Sequence, residues 1–578
     1  MEKKKIKNKI KEVFEIIILY MVGVIIITYM LSFFRPSNVL GIIVHLFFKL
    51  AIVSSLICIT NKKRLPFILF NIFEYLFGVI NYLKIKNRCQ ALEPWDLTFS
   101  TELTDIASFF TLESVDIATF IVALIFLFAI TIMDIYTFEN YCEVPSKKGK
   151  CAIFLITIPI IIFLCTSYMQ INMKYIESDM NGYANFSRYR RTAEYGAFTN
   201  FFLDLGLIGL EEESENYSKE KIDEIYSALN VIENINKVEY DNVIIVLLES
   251  YYDITNFENI KFKKDPLINY KEYVKENGEN KMIVDNIGGG TANVEYQILT
   301  MHSISQYLDG LFPYMHIIEK DMETLPSLFK RNGYETTAIH NYKESFYKRD
   351  EAYAKMGIDT FISDDDFIEP EYYGEYISDE EVYNKIVELV ESQDKSFITA
   401  TTMGTHGPYT EYEFQEYDEY IEKEEWKEVD VLGFNNYVQK LRKLDEMLGK
   451  LIEYVENSNE NTLLIAYGDH YPIIYSVPEY EGVVEENDEN LTYEKYPILF
   501  EMPYIVVSNA QDDIKLSEKI TPSEMGMYIL ENVKLDKNSP VYNAIYGYFK
   551  GVLNKDDYEM IQYDNVQGES YWKEYIKE

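Results

Sequence analysis

The sequence predicts two parts with different folds: an N-terminal bundle of five transmembrane helices, followed by an extracellular α/β domain with a mostly parallel central sheet. Apolar segments of membrane-spanning length are confined to the first third of the 578 residues. After residue 238, short apolar runs alternate with amphipathic segments, which is typical of a parallel sheet covered by helices. All five cysteines precede residue 170, so the second part has neither disulfides nor thiolate metal ligands.

Five segments come close to the roughly 20 apolar residues that cross a bilayer. These predicted spans are Ile16–Phe34, Val39–Ile59, Pro66–Leu83, Ile117–Ile135 and Cys151–Ile171. The third span contains Glu74, and a carboxylate within a membrane segment is costly. We expect Glu74 either to serve a function, to lie near an interface, or to face the interior of the bundle.

Lysines predict how the bundle is oriented. Six lysines lie within Met1–Lys11, and further basic residues occupy the second–third loop at 62–64 and the fourth–fifth loop at 147–150. These segments should be cytoplasmic by the positive-inside rule. An odd number of spans then places everything after Ile171 outside the cell, in a multi-pass protein of the cell membrane.

Three domains are therefore expected: a transmembrane domain over 1–172, extracellular juxtamembrane linker helices over 173–237, and an extracellular catalytic domain over 238–578. The formal net charge of −40 excludes nucleic acid as a partner, because such a surface repels a phosphate backbone. The many acidic residues after Ile362 are interpreted mainly as a solvated surface.

The pattern of the third domain predicts a sheet with helices between its strands. Continuous apolar runs indicate strands that are buried on both faces. The predicted strands are Val243–Leu248, Thr336–Ile339, Phe397–Thr401, Leu463–Ala466 and Tyr504–Val507. Apolar residues at helical spacing predict helices at Met322–Asn332, Glu380–Ser392 and Phe434–Asn457.

Chemically active residues follow these strands. In open α/β sheets, ligands and catalytic groups collect at the carboxyl ends of the strands. Three of the six histidines of the chain come directly after predicted strands, and so do two carboxylates. The strand ends deliver Glu249, His340, His406, Asp469 and His470. In addition, three glycines at 288–290 allow a close backbone approach and present Thr291.

This residue set suits a single divalent metal. Glu249 and Asp469 would supply oxygen ligands, His470 nitrogen and Thr291 a hydroxyl, a mixture that fits Mn²⁺, Mg²⁺ or Zn²⁺. The other histidines, together with Arg349, could hold an anionic phosphate.

Each of these residues also has a purely structural interpretation. Glu249 could lie at a helix N-terminus, Thr291 could cap a helix over Glu295–Met301, and His340 could be a core histidine with satisfied hydrogen bonds. Arg349 could form a surface ion pair with Asp350 or Glu351.

Five motifs, in this order and context, resemble the lipoteichoic acid synthase family, a sulfatase-like branch of the alkaline phosphatase superfamily. They are Leu248-Glu249-Ser250, Gly289-Gly290-Thr291, Phe346-Tyr347-Lys348-Arg349-Asp350, Thr405-His406-Gly407-Pro408-Tyr409 and Tyr467-Gly468-Asp469-His470-Tyr471. The resemblance covers nearly the whole chain, including the five spans.

The resemblance implies transfer of glycerol phosphate from phosphatidylglycerol to a membrane glycolipid or growing polymer at the outer face of the membrane. The usual metal of the family is Mn²⁺, with Mg²⁺ and Zn²⁺ as alternatives here. The implied metal ligands are Glu249, Thr291, Asp469 and His470. Thr291 is also the implied nucleophile. We expect a glycerophospho-threonine intermediate, with His406 acting as the acid/base or as a stabiliser of the leaving group.

The implied substrate-binding residues are His340, Tyr347, Arg349 and His406. Two positions depart from the family pattern. Tyr347 replaces a tryptophan, an exchange that keeps an aromatic wall. Tyr342 replaces a carboxylate that contacts the glycerol, which puts the transferred head group in doubt.

Three rival functions remain open. The chain could transfer another head group, such as phosphoethanolamine, or add phosphoglycerol to an envelope polysaccharide. It could hydrolyse phosphodiesters or sulfate esters, although a formylglycine sulfatase needs a Cys or Ser where this chain has Thr291. It could also be a membrane anchor with a relic site, which the complete ligand set argues against.

Overall fold

The computed structural model describes residues 39–62, 64–88, 92–94, 114–141, 145–163, 197–204, 217–229, 237–305, 307, 311–407, 409, 428–474, 476–485, 491–510, 517–536 and 539–576. The chain divides into two compact units, Met1–Glu211 and Glu212–Glu578. The predicted boundaries at 172 and 237 stay predictions.

The described part of the first unit is helical. Its helices are α1 (Val39–Thr60), α2 (Leu65–Arg88), α3 (Ser114–Tyr141), α4 (Lys147–Phe163) and α5 (Ala197–Asp204). Helix α1 packs on α2 and α4, α2 packs on α3, and α5 contacts both α1 and α2.

Helices α1 to α3 cover the second, third and fourth predicted spans, and α4 overlaps the fifth up to Phe163. The span Ile16–Phe34 and residues 164–171 lie outside the described residues. Within the described part of the chain, one helical segment, Leu65–Lys84, is long and apolar enough to cross a membrane. The bundle of five spans therefore stays a prediction.

Glu74 faces a neighbouring helix within this unit. Its carboxylate oxygens lie 2.8 Å from His45 Nε2 and 3.3 Å from Lys49 Nζ, and all three side chains are buried. Burying a charge is costly unless it is paired. The structure therefore agrees with the interpretation in which Glu74 faces the interior of the bundle.

The second unit is an α/β domain. Its strands are β1 (Asn242–Leu248), β2 (Lys281–Ile283), β3 (Glu335–His340), β4 (Thr360–Ile362), β5 (Tyr372–Tyr373), β6 (Tyr376–Ile377), β7 (Ser396–Thr401), β8 (Thr462–Gly468), β9 (Glu501–Ser508) and β10 (Lys519–Ile520). Its helices are α6 (Lys219–Ala228), α7 (Ile268–Asn277), α8 (Thr291–Thr300), α9 (Pro313–His316), α10 (Leu325–Arg331), α11 (Arg349–Lys355), α12 (Asp379–Ser392), α13 (Glu428–Asn457), α14 (Ser476–Tyr480), α15 (Pro522–Asn532), α16 (Pro540–Phe549) and α17 (Lys555–Val566).

Eight strands form the central sheet in the order β10-β2-β9-β8-β1-β7-β3-β4, and β5 and β6 form a separate hairpin. Strands β8, β1, β7, β3 and β4 run parallel to one another. Strand β9 runs antiparallel to both β8 and β2. The prediction of a mostly parallel sheet is confirmed. The apolar runs have the expected cause, because every residue of β1, β7 and β8 is buried.

Local capping sets where several helices begin. Thr324 and Ser327 form a reciprocal capping box, so α10 begins at Leu325 rather than at the predicted Met322. Helix α6 begins after the cap Ser218 and packs on α16 and α17, within the second unit.

Candidate metal and phosphate site

Glu249 and Asp469 meet because their strands are neighbours in register. Leu248 at the end of β1 pairs with Gly468 at the end of β8. The chain then turns sharply at Ser250, whose φ is +50°, and the Ser250 amide donates a 2.8 Å hydrogen bond to Asp469 Oδ1. Gly468 is required here, because a β-carbon would clash with the carbonyl oxygen of Tyr251.

His470 completes a compact group with these two carboxylates. Its Nε2 lies 3.6 Å from Glu249 Oε1 and 3.3 Å from Asp469 Oδ2. One ligand atom from each of the three residues falls within 4.8 Å of the others, and all three side chains are buried. Glu249 directly follows strand β1 in the sequence, but its carboxylate contacts Thr291, the first residue of α8, so the structure does not contradict its interpretation as a carboxylate at a helix N-terminus.

The chemistry of this group fits a divalent cation. Asp469 Oδ2 is buried and has no hydrogen-bond partner within the described part of the chain. His470 Nδ1 lies 3.1 Å from the carbonyl oxygen of Tyr471, which places the proton on Nδ1 and the lone pair on Nε2, the usual arrangement of a metal-binding histidine. Burial raises the pKa of Glu249 well above its ordinary value, and the charge of Asp469 adds to this effect. A bound cation would offset the cost of burying the Glu249 carboxylate and the repulsion between Glu249 and Asp469.

A glycine loop brings Thr291 to the same group. Gly288, Gly289 and Gly290 all have positive φ, at +67°, +148° and +89°. Thr291 is the first residue of α8, and its Oγ1 donates a 3.2 Å hydrogen bond to Glu249 Oε2. Since Gly290 occupies the cap position without a side chain, the interpretation of Thr291 as a helix cap is wrong.

The glycine loop and the segment after β8 are joined by backbone contacts. The Gly288 amide donates a 2.8 Å hydrogen bond to the carbonyl oxygen of Tyr471, and Ile287 forms a parallel bridge with Tyr471. Thr405 Oγ1 in turn donates to the backbone carbonyl of Glu249. Three segments that are distant in the chain are thus fixed to one another around Glu249.

Replacing Gly290 by alanine should misplace Thr291. A β-carbon at Gly290 would overlap the side-chain amide of Asn286, whereas one at Gly278, with nearly the same φ of +87°, meets open space. Backbone with positive φ costs a residue other than glycine about 1–3 kcal/mol in either the left-handed region of Gly290 (ψ 21°) or the extended region of Gly278 (ψ 164°), so Gly278→Ala is the control for backbone strain without crowding. We expect Gly290→Ala to lower activity by about 100-fold, the cost of a misplaced reactive group, and Gly278→Ala to leave activity unchanged.

Thermal unfolding and turnover of both variants check this prediction. Equal activity losses in Gly290→Ala and Gly278→Ala would show that the crowding at Asn286 has no bearing on Thr291.

The four predicted substrate-binding residues surround the ring of Phe346. His340 stacks on it at 6.3 Å between ring centroids, Tyr347 lies at 4.6 Å and His406 at 6.5 Å. The guanidinium carbon of Arg349 lies 5.8 Å from the same ring. Tyr347 has a φ of +60°, a conformation that costs a tyrosine energy and is frequent at functional sites.

The two histidines of this group are each held by a carbonyl oxygen. His340 Nδ1 lies 2.9 Å from the Thr401 oxygen, while its Nε2 is buried and has no hydrogen-bond partner among the described residues. Burial lowers the pKa of His340 well below its ordinary value, and the charge of Arg349 adds to this effect. His406 is half-buried, with Nδ1 2.5 Å from the Gly407 oxygen and 3.3 Å from the Tyr376 hydroxyl.

Arg349 differs from the surface interpretation drawn from the sequence. It is fully buried rather than exposed, so it forms no surface ion pair with Asp350 or Glu351. Its Nη2 lies 3.1 Å from Glu295 Oε2, so part of the guanidinium already binds a carboxylate. The predicted role in phosphate binding depends on the remaining N–H groups.

Sequence reasoning missed three residues of this region. Glu295 binds Arg349, and Phe346 is the shared aromatic neighbour. Buried Asp379 accepts hydrogen bonds from Asn341 Nδ2 and from the amides of residues 403 and 404, and so ties together the loops that carry His340 and His406. The spacing of Glu295, four residues after Thr291 on one helix, predicts that it lies near Thr291 but does not predict its contact with Arg349.

A mostly parallel sheet with a threonine, two carboxylates and a histidine grouped at its carboxyl edge is the arrangement of a sulfatase-like α/β enzyme domain. A comparison with known families agrees, since residues 241–525 match the sulfatase family.

Known proteins of several kinds are similar to this chain. A protein of Rhizobium meliloti (strain 1021) described as modifying cyclic beta-1,2-glucan is 27% identical over 311 residues, which cover 53% of this chain and 47% of that protein. The chain thus spans about half the length of this curated relative.

Two solved structures resemble it as well. The phosphoglycerol transferase GacH of Streptococcus pyogenes, in complex with sn-glycerol-1-phosphate, is 24% identical with a TM-score of 0.51, covering 63% of this chain and 97% of GacH. The lipoteichoic acid synthase LtaP of Listeria monocytogenes is 20% identical with a TM-score of 0.41, covering 55% and 78%. The likeness to GacH shows a shared fold.

Proposed function

We propose that this protein transfers glycerol phosphate from phosphatidylglycerol to a cell-envelope glycolipid or polymer, as in lipoteichoic acid synthesis. The observation that carries the proposal is the 3.2 Å hydrogen bond from the Thr291 hydroxyl to Glu249, beside Asp469 and His470. It puts a hydroxyl nucleophile at a group suited to a cation. The description of GacH as a phosphoglycerol transferase with bound sn-glycerol-1-phosphate supports the same substrate class.

The reaction is a double displacement. The Thr291 hydroxyl gives its proton to Glu249 Oε2, with which it is hydrogen-bonded, and Oγ forms a bond to the phosphorus of the lipid. The bond from phosphorus to the diacylglycerol oxygen breaks, and that oxygen takes up a proton. The enzyme then carries glycerophosphate on Thr291. An acceptor hydroxyl loses its proton and attacks the phosphorus, the bond from phosphorus to Thr291 Oγ breaks, and Oγ takes its proton back from Glu249.

Glu249, Asp469 and His470, with the Thr291 hydroxyl, would hold one divalent cation, and the donor set suits Mn²⁺, Mg²⁺ or Zn²⁺. When bound, such an ion lowers the pKa of a hydroxyl and stabilises charge on phosphoryl oxygens. Before the reaction, Glu249 Oε2 orients the Thr291 hydroxyl by accepting its hydrogen bond.

His406 moves the proton in this scheme. Its Nδ1 is directed at the Gly407 carbonyl, which assigns proton transfer to Nε2. His406 gives a proton to the diacylglycerol oxygen in the first step and takes one from the acceptor hydroxyl in the second. The Lys440 ammonium donates a 3.0 Å hydrogen bond to the His406 carbonyl and so fixes this loop.

The five predicted spans would serve the same reaction. A multi-pass anchor with its catalytic domain outside the cell confines the enzyme to the leaflet that holds both donor and acceptor. Confinement raises the effective concentration of both lipids.

Tyr342 supports a second candidate, the transfer of another head group such as phosphoethanolamine. Its ring packs on Phe346 at 5.3 Å, on His340 at 6.1 Å and on Tyr376 at 6.0 Å between centroids. A tyrosine there offers one hydroxyl where the resembled family has a carboxylate for glycerol. A donor other than phosphatidylglycerol would then be preferred.

The test uses the full-length protein purified in detergent and supplied with Mn²⁺. It is incubated in parallel with labelled phosphatidylglycerol, phosphatidylethanolamine and an aryl sulfate ester. We expect diacylglycerol release from phosphatidylglycerol and a glycerophosphate adduct on the Thr291 peptide by mass spectrometry. Faster release from phosphatidylethanolamine would favour the second candidate, and sulfate release alone would contradict both.

A further inference from the structure

Glu295 is a buried carboxylate that the proposed reaction does not use. It lies in α8, one turn after Thr291, and it is fully buried together with every other residue of that helix. A buried carboxylate is costly unless it is paired and hydrogen-bonded. Glu295 meets this requirement with four donors from three separate segments of the chain: Tyr314 of α9, Arg349 and Tyr353 of α11, and Thr401 of β7.

The two oxygens of Glu295 face different partners. Oε2 accepts from Arg349 Nε at 3.3 Å, from Arg349 Nη2 at 3.1 Å and from Thr401 Oγ1 at 3.3 Å. Oε1 accepts instead from the hydroxyls of Tyr314, at 3.0 Å, and Tyr353. One oxygen therefore faces the phosphate-binding side and the other faces packed tyrosines.

The contacts of Oε2 fix Arg349 in one orientation. One edge of the guanidinium binds Glu295, and Nη1 donates a 3.2 Å hydrogen bond to the Phe346 carbonyl. The guanidinium also lies over the ring of Tyr347 at 5.2 Å. An arginine held along one edge presents its remaining N–H groups in a set direction, which suits recognition of phosphate oxygens.

Thr401 connects Glu295 to His340 as well. Its hydroxyl donates to Glu295, and its carbonyl oxygen lies 2.9 Å from His340 Nδ1. His340 and Thr401 are also paired in register across β3 and β7. Glu295, which orients Arg349, thus also holds Thr401 at the end of β7, and Thr401 contacts His340.

We propose that Glu295 is a positioning residue, which aligns Arg349 and His340 toward the anionic group of the substrate from the same helix that carries Thr291. The inference rests on the proposed function, in that a phosphate is taken to bind beside Thr291. It adds a residue that touches no substrate and acts through Arg349.

The test is phosphate binding by the full-length protein in detergent with Mn²⁺, measured by calorimetry with inorganic phosphate. Glu295→Gln keeps the shape of the side chain and removes the charge that anchors Arg349. We expect the Kd for phosphate to rise about tenfold or more, the size of one lost charge-assisted hydrogen bond. The Mn²⁺ affinity should stay within about twofold, because Glu249, Asp469 and His470 are unchanged.

Tyr314→Phe is the matched control, because it removes a donor from the other oxygen of the same carboxylate. We expect it to lower the unfolding temperature while leaving the phosphate Kd within about twofold. Arg349→Met completes a double-mutant cycle. In protein that already carries Arg349→Met, the further change Glu295→Gln should alter the phosphate Kd little, since Glu295 acts through Arg349.

Two results would overturn the inference. One is an equal weakening of phosphate binding by Glu295→Gln with and without Arg349. The other is a loss in Tyr314→Phe as large as that in Glu295→Gln, which would mark a purely structural role. Failure of the wild-type protein to bind phosphate at all would instead contradict the proposed function.

Discussion

Replacing Thr291 by alanine should abolish transfer, with kcat falling on the order of 10⁶-fold, as when an enzyme loses its nucleophile. Thr291 Oγ1 is the hydroxyl placed 3.2 Å from Glu249 at the start of α8. Without it no covalent adduct can form, and diacylglycerol release from labelled phosphatidylglycerol should stop. Binding of Mn²⁺ should persist, because Glu249, Asp469 and His470 remain.

The control for this variant is the same substitution at the other end of the same helix. Thr300 Oγ1 donates a 2.6 Å hydrogen bond to the Tyr296 carbonyl, and Thr300→Ala should keep wild-type turnover. Thr291→Ser should retain part of the activity, because it keeps the hydroxyl. Wild-type release of diacylglycerol by Thr291→Ala would mean that the phosphorus is attacked by another group.

Replacing Asp469 by asparagine should have opposite effects on the metal-free and metal-loaded protein. The charge of Asp469, together with burial, raises the pKa of Glu249, so the two carboxylates destabilise each other when no cation is present. Asp469→Asn removes that repulsion and keeps the Oδ1 that accepts from the Ser250 amide at 2.8 Å. In chelator, the variant should unfold at a temperature equal to or higher than that of the wild type.

With Mn²⁺ present, the wild type should unfold at a higher temperature than Asp469→Asn. A ligand at 1,000 times its Kd stabilises a protein by about 4 kcal/mol, and the wild type should gain such a shift. The Asp469→Asn variant should gain no stabilisation from Mn²⁺, and its turnover should fall to background. Thermal scans with chelator and with added Mn²⁺ measure both effects.

Asp445→Asn is the control for Asp469→Asn, because it removes the charge of a buried carboxylate that does not belong to the candidate metal site. Asp445 is buried and accepts hydrogen bonds from the Tyr251 hydroxyl at 2.8 Å and from the amides of Asn269 and Tyr270 at 2.9 and 3.0 Å. We expect this control to unfold earlier in both conditions and to keep its Mn²⁺ shift. A Mn²⁺ shift of wild-type size in Asp469→Asn would contradict the assignment of Asp469 as a ligand.

The strands that carry the site could be predicted because each contains a short run of apolar or β-branched residues. β1, β7 and β8 are buried on both faces, so composition alone separates them from helices. The short strands β2 and β10 were not predicted, since two or three residues carry no periodic signal. The first predicted span, Ile16–Phe34, lies outside the described residues.

The grouping of Glu249, Thr291, Asp469 and His470 was predictable because strand ends and a glycine loop mark a sheet edge in the sequence. Their roles as ligands and nucleophile stay predictions. The contact between Arg349 and Glu295 was not predictable, because it joins α8 to a turn more than fifty residues later and depends on the burial of both. Nothing local distinguishes such a pair from solvent-exposed charges.

The pairing of β1 with β8 also determines when the domain can gain its chemistry during synthesis. Asn242 and Thr462 pair across 220 residues of chain, and closing such long-range contacts is slow. Asp469 and His470 follow β8 directly, so a nascent chain that ends before them lacks two of the three grouped ligand residues. Binding of a metal by this group would therefore be a late folding event, and we expect a prematurely terminated chain to lack the activity proposed for the domain.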